Sequence, residues 1–186
     1  MPKLELFRNA FPEIELILQV SIPLLDVTAE TSDLEIRFGA GSYSDLENRL
    51  ILADEVTPAC SPSYLNEAGP FHAFDSELEP AQARLIRSPL EPWSTWFSHY
   101  GMTRTEPYVG AQFNDLGLLY DAAASGFGVT LVRLRLGAAW LESGRLVRLT
   151  PQSVPSPHQH YVCWQPGTLD RWECAAFVDW MILALA

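Results

Sequence analysis

What most constrains this chain is its rhythm: strand-like stretches take turns with stretches of helical period from one end to the other. Leu4, Phe7, Ala10 and Phe11 have helical spacing and stop at Pro12. Glu13 to Val20 begins with alternation, turns almost wholly apolar, and reads as a strand. Leu24 to Glu30 reads as a short helix, and Asp33 to Phe38 as a second strand closed by Gly39-Ala40-Gly41-Ser42. Leu50 to Cys60 holds another strand, followed by a loop-rich, acidic region with weak helices near Tyr64 and Glu77. Arg84 to Arg87 and Tyr108 to Phe113 read as strands around a helix at Trp93 to Tyr100. Asn114 or Asp115 is placed to cap a helix over Leu116 to Ser125, which Gly126-Phe127-Gly128 ends. Val129 to Val132, Arg145 to Leu149 and His160 to Trp164 complete the strands, with a helix near Leu134 to Glu142. Pro151 to Pro157 reads as a surface connection, and Leu169 to Leu185 as a long amphipathic helix. Alternation of this kind argues for an α/β sheet architecture.

A chain of 186 residues is one domain or two small lobes. Its 48% apolar and 19% charged residues exclude disorder, and no apolar run reaches the roughly 18 residues of a membrane span. The opening Met1 to Glu5 is amphipathic and contains an acid, unlike a signal peptide, so the cytoplasm is the expected compartment. Twelve basic against 23 acidic side chains give a net charge of −11, with one Lys and scattered Arg. Neutralising phosphates needs clustered cations, so direct nucleic-acid contact by this chain is not expected, and neither is docking on anionic lipid.

No catalytic constellation emerges. His158 and His160 stand two apart, where two imidazoles can share a metal, but spacing fixes no further ligand beside them; solvated strand-edge histidines are the simpler reading. Ala123 to Gly128 lacks the first glycine of a nucleophile elbow. Gly39-Ala40-Gly41 lacks the lysine of a phosphate loop and the third glycine of a dinucleotide loop. Asp54 and Glu55 are neighbours on a strand and point to opposite faces, so they form no acid/base dyad. Trp93, Trp96 and Phe97 are spaced as helix core rather than as a ligand cage. No enzyme activity, metal or cofactor is expected. What remains is loops at strand ends: Arg37-Phe38-Gly39, Cys60-Ser61-Pro62 and Phe113-Asn114-Asp115. In open α/β sheets ligands bind outside the carboxyl ends of strands, and helix N-termini favour anions. A small ligand such as a carboxylate suits such a place.

The order of motifs resembles a known family. Leu4…Phe7…Phe11-Pro12-Glu13-Ile14-Glu15-Leu16 resembles the "L..F...HPDIEL" opening of the effector-binding domains of LysR-type transcriptional regulators. Ser32 to Gly39 is similar to their "DLAIRFG", and Ala59 to Leu65 to "VCSPAYL". Phe113-Asn114-Asp115 with Ala122 to Val129 resembles "F.DS…AA.AGLGVAL", and Gly144 to Leu149 resembles "GRLVRPF". Trp93 and Trp96 resemble the paired tryptophans of the subgroup of glycine-cleavage and β-lactamase regulators. The resemblance implies a type 2 periplasmic-binding-protein-like α/β fold. Lobe I is then residues 1–58 plus 163–186, and lobe II is 59–162, joined by a hinge of two crossover strands. It further implies a small-molecule effector in the inter-lobe cleft. Arg37, Phe38 and Gly39 line it from lobe I. Cys60, Ser61 and Pro62 line it at the hinge, Phe113, Asn114 and Asp115 from lobe II, and Tyr161 on the return crossover. Homodimerisation is implied, through the opening helix and the Leu116 to Ala124 helix, with a tetramer in the full-length regulator.

The winged helix-turn-helix of the family is absent from this chain, and the first strand of the effector domain is absent as well. The chain is therefore expected to be a fragment that senses and dimerises without reading DNA itself. A solute-binding protein of a transporter is the alternative on the same fold. Cys60 and Cys163, both on expected crossovers, are expected to lie near each other, with buried thiols as the plain alternative to a redox pair.

Overall fold

The computed structural model describes residues 3–19, 32–106 and 109–185. In chain order the elements are α1 (Leu4–Ala10), β1 (Glu35–Gly39), β2 (Glu47–Leu52), β3 (Glu55–Cys60), α2 (Pro62–Ala68), α3 (Leu78–Gln82), α4 (Trp93–His99), α5 (Leu116–Ala124), β4 (Thr130–Arg133), α6 (Ala138–Glu142), β5 (Val147–Arg148), β6 (Val154–Pro155), β7 (Gln159–Trp164), a 3₁₀ turn (Thr168–Asp170) and α7 (Trp172–Leu185). They divide into two compact units, 1–53 with 158–186, and 54–157.

The first unit holds an antiparallel sheet of order β1-β7-β2. Successive strand residues face opposite ways. Val162 and Trp164 therefore point one way and pack with Ile51 against Val178 and Met181 of α7. Phe7 of α1 is fully buried against Phe11, Phe177 and Trp180. Removing one such ring from water is worth about 1.5–3 kcal/mol.

The second unit is built around β3, which pairs antiparallel with β4, β5 and β6. β3 is buried on both faces: Val56 and Cys60 join one apolar cluster, Ala59 another. Trp93 and Trp96 are fully buried, and their indole N–H groups donate to the Ile86 and Phe74 carbonyls at 2.9 and 2.6 Å. The core reading of this aromatic trio holds.

Several expectations need correction. Residues 13–19 join no ladder among the described residues, although the alternation there reads as a strand. Alternation reports a preference, and a strand also needs a partner. The expected helix at Leu24 to Glu30 and the start of the Tyr108 strand lie outside the described residues. Leu50 to Cys60 is two strands in different units, because β2 pairs with β7 and β3 with β4. Arg84 to Arg87 makes only the single parallel bridges Leu85–Val129 and Arg87–Gln112. The Pro151 to Pro157 connection is not merely superficial: Val154 pairs with Val56, and Val154 and Ser156 are buried. The division between units falls at 53/54 and 157/158 rather than 58/59 and 162/163, since all of β3 pairs in the second unit and all of β7 in the first. Cys60 and Cys163 thus belong to strands of separate sheets, and all three cysteines are free and buried.

Candidate functional site

In the first unit the β1–β7 register sets Arg37 opposite Tyr161 and Phe38 opposite His160. Alternation then sorts the expected residues. Glu35, Arg37, Tyr161 and Cys163 share one face. Phe38 lies on the other, its ring 5.0 Å from that of His160 and 5.5 Å from His158. The structure therefore brings Arg37 and Tyr161 together and leaves the Phe38 side chain out of their group.

Around Arg37 the geometry is specific. Its Nε donates to Glu35 at 2.7 Å, and its guanidinium carbon lies 5.2 Å from the centre of the Tyr43 ring. The hydrogen bond to Glu35 is the main reason the guanidinium pKa is held above its ordinary value. Tyr43 meets Tyr161 edge to face at 6.1 Å. A Cβ on Gly39 would sit 2.8 Å from the Tyr43 hydroxyl, so glycine there is what lets that ring approach. Gly41 has φ +83°, and a Cβ on it would lie 2.5 Å from the Tyr161 ring. The Tyr43 hydroxyl oxygen is shielded and has no hydrogen-bond partner among the described residues; burial pushes its pKa up. Glu35 and Tyr43 escape sequence reasoning. Period-two alternation could have found Glu35, whereas Tyr43 meets Tyr161 from 118 positions away with no local signal.

In the second unit the expected residues fall into two separate groups. Cys60 is the last residue of β3, fully buried, with burial pushing its thiol up to about 11. Such a thiol stays protonated and inert. Ser61 is the N-cap of α2: its Oγ accepts from the Tyr64 N–H at 3.1 Å and lies 2.9 Å from Ser63 Oγ. Pro62 fills the first helical position, where no N–H is needed. At the other group, the Phe113 N–H donates to the Arg87 carbonyl at 2.9 Å, Asn114 is exposed, and Asp115 Oδ1 caps α5 by accepting from the Leu118 N–H at 2.8 Å. A Cβ on Gly126 would lie 3.8 Å from Ser61 Oγ, so Ser61 adjoins the far end of α5 from Asp115. Nine residues of helix, roughly 13 Å, intervene. Cys60, Ser61 and Pro62 all lie in the second unit, which begins at Asp54.

Near the crossings the second unit holds a buried polar cluster that no local pattern announces. Arg133 Nε lies 2.6 Å from Glu91 Oε1, with both side chains fully buried. Arg133 also donates to Ser156 Oγ at 2.7 Å, and Ser156 Oγ donates to Glu91 at 2.9 Å. The Asp54 carboxylate accepts from the Arg135 and Leu136 N–H groups at 2.9 and 3.0 Å, and the Ser156 N–H donates to the Asp54 carbonyl at 3.1 Å. Among the described residues, no group of three or more His, Cys, Asp or Glu is arranged to hold a metal ion, and no helix is long and apolar enough to cross a membrane.

Comparison with known proteins gives these features a context. The family model described as the LysR substrate binding domain matches residues 1–185. The HTH-type transcriptional activator AmpR of Rhodobacter capsulatus is 27% identical over 97% of this chain and 60% of its own length. The glycine cleavage system transcriptional activator of Escherichia coli K12 is 25% identical over 100% of this chain and 60% of its own. The chain thus spans about 60% of the length of these curated relatives. The effector domain of AmpR from Pseudomonas aeruginosa superposes with a TM-score of 0.82 at 24% identity, covering 99% of this chain and 87% of that one. The relatives are named as transcriptional regulators, which favours that reading over a transporter component. The chain belongs to the LysR substrate-binding domain family, with the type 2 periplasmic-binding-protein-like α/β fold, and is an effector-binding domain of LysR-type transcriptional regulators.

Proposed function

We propose that this chain is the sensing module of a cytoplasmic transcriptional regulator and binds a small metabolite. Arg37, Gly39 and Tyr161 serve as the first unit's wall, and Phe113, Asn114 and Asp115 as the second's. The match to one family model from residue 1 to 185 carries this reading. The half-exposed Arg37, Tyr43 and Tyr161, on or beside β1 and β7, and the exposed Asn114, just before the N-cap of α5, support it. Cys60, Ser61 and Pro62 act as core, cap and helix start. The chain binds rather than catalyses, in keeping with relatives named as regulators. It pairs with a second copy through α1 and α5, a reading supported by Leu6 and Leu118, each 62% exposed on those helices. Within the full-length regulator such dimers pair into a tetramer, and another domain contacts DNA.

The test is a thermal-shift screen over amino acids, organic acids and cell-wall fragments. A ligand that binds only the folded state stabilises by RT ln(1 + [L]/Kd), about 2.7 kcal/mol at 100 Kd. At least one of these classes is expected to raise the midpoint in a saturable way. Silence across all three contradicts the reading.

A further inference from the structure

The first unit presents a cation in an unusual setting. By alternation, β1, β7 and β2 place Glu35, Arg37, Asn48, Leu50, Tyr161 and Cys163 on one face, and Arg37 is the only cation that these strands contribute to it. Arg49 lies on the opposite face, paired with Asp179 of α7. Arg37 is also constrained. Its Nε is committed to Glu35, and its guanidinium lies against the Tyr43 ring. Its two terminal nitrogens have no hydrogen-bond partner among the described residues. Its side chain stays 40% exposed.

Stability does not account for this arrangement. An ion pair exposed to this degree contributes about 0–1 kcal/mol. What Glu35 and Tyr43 do provide is orientation. A guanidinium bonded at Nε and laid against a ring cannot swing freely, and it keeps its end-on pair of N–H donors pointing away from both supports. That pair matches the two oxygens of a carboxylate in a bidentate fork, whereas a lysine in the same place would offer only a point charge. The Tyr43 hydroxyl, shielded and without a partner among the described residues, stands beside Gly39, and the Tyr161 ring forms the adjoining wall.

We propose that Glu35 and Tyr43 are positioning residues that hold Arg37 as a two-pronged anchor for a ligand carboxylate. This rests on the reading of Arg37 and Tyr161 as one wall of the effector site, and it names the chemical class of the ligand at that wall: a small molecule with a free carboxylate end.

The experiment uses matched probes on the 186-residue chain. Acetate, succinate and N-acetylglycine are each compared with acetamide, succinamide and N-acetylglycinamide, and saturable binding is followed by thermal shift and calorimetry. At least one carboxylate is expected to bind while its amide does not. Arg37→Lys, which keeps the charge, should weaken that carboxylate by about tenfold or more. Glu35→Gln and Tyr43→Leu should each weaken it by about threefold, the scale of a lost cation–π or orienting contact. Tyr43→Phe keeps the ring and should bind within about twofold of wild type, a rescue that general unfolding would not show. The inference is overturned if no carboxylate is distinguished from its amide. It is also overturned if folded Arg37→Lys binds as wild type, or if Tyr43→Phe loses as much as Tyr43→Leu. Carboxylate binding that ignores these variants but falls with Asn114→Ala would overturn the anchor and leave the effector reading standing. Saturable binding of a larger metabolite, with no preference for a carboxylate, would do the same.

Discussion

The two units differ in how their polar atoms are spent. In the second unit the polar groups near the expected site are already in use. Ser61 and Asp115 cap helices, and Glu91, Arg133 and Ser156 satisfy one another out of reach of water. In the first unit Arg37 has spare donors, and the Tyr43 hydroxyl has no partner among the described residues. Substitutions of the capping and buried groups of the second unit should therefore read out as lost stability, and substitution of Arg37 as lost binding.

Glu91→Ala gives the sharpest contrast. It leaves the Arg133 guanidinium buried without its carboxylate, which costs about 3–5 kcal/mol. An unfolding free energy lower by that amount, read from urea melts, is expected, with much of it recovered when Arg133→Met is added, since a buried pair can be replaced by apolar packing at little cost. A midpoint within experimental error of wild type would mean that the cluster does not hold the unit together. Asp115→Ala comes next, expected to lose about 1 kcal/mol with its cap, while Asp115→Asn should keep most of it.

The third contrast uses pH. Burial would raise the Glu79 carboxyl, but the backbone N–H groups of His72, Phe74 and Ala73 outweigh it and hold the group below the ordinary carboxylate range. A depressed folded value means that the carboxylate stabilises the native state above its unfolded pKa. That contribution is lost as pH falls through the folded value. The advantage of wild type over Glu79→Gln in urea should therefore shrink on acidification below the carboxylate range, and a constant gap would contradict the assignment. The smallest stability effects belong to the first unit. Arg37→Ala should change the unfolding free energy by less than about 1 kcal/mol, and Tyr43→Phe should leave it unchanged or slightly raised, since a shielded hydroxyl without a partner contributes no net bond.

How much of this was legible beforehand follows the range of each interaction. The α5 cap could be read because Asp115 and the helix that it caps are adjacent in the chain. The central aromatics could be read because Trp93, Trp96 and Phe97 fall on one helical face. Exclusion of the Phe38 side chain was also within reach, because alternation alone puts it opposite to Arg37. The remainder depends on distant partners. The strand signal at Glu13 to Val20 is a local preference, and residues 13–19 join no ladder among the described residues. Three prolines made Pro151 to Pro157 look superficial, yet β6 tolerates Pro155 beside Glu55 while Ser156 closes a cluster with Glu91, 65 positions earlier. By contrast, the N-cap role of Ser61 could be read locally, since Pro62 and the helix that follow it are adjacent in the chain.

The central claim is that Arg37 and Asn114 both serve the binding of a small metabolite. It is tested most directly by calorimetric affinities of a single stabilising metabolite for wild type, Arg37→Lys and Asn114→Ala, each with its urea midpoint checked. The account predicts that both variants keep the wild-type midpoint and that each loses about tenfold or more in affinity. A folded Arg37→Lys or Asn114→Ala that binds the metabolite as tightly as wild type would contradict it.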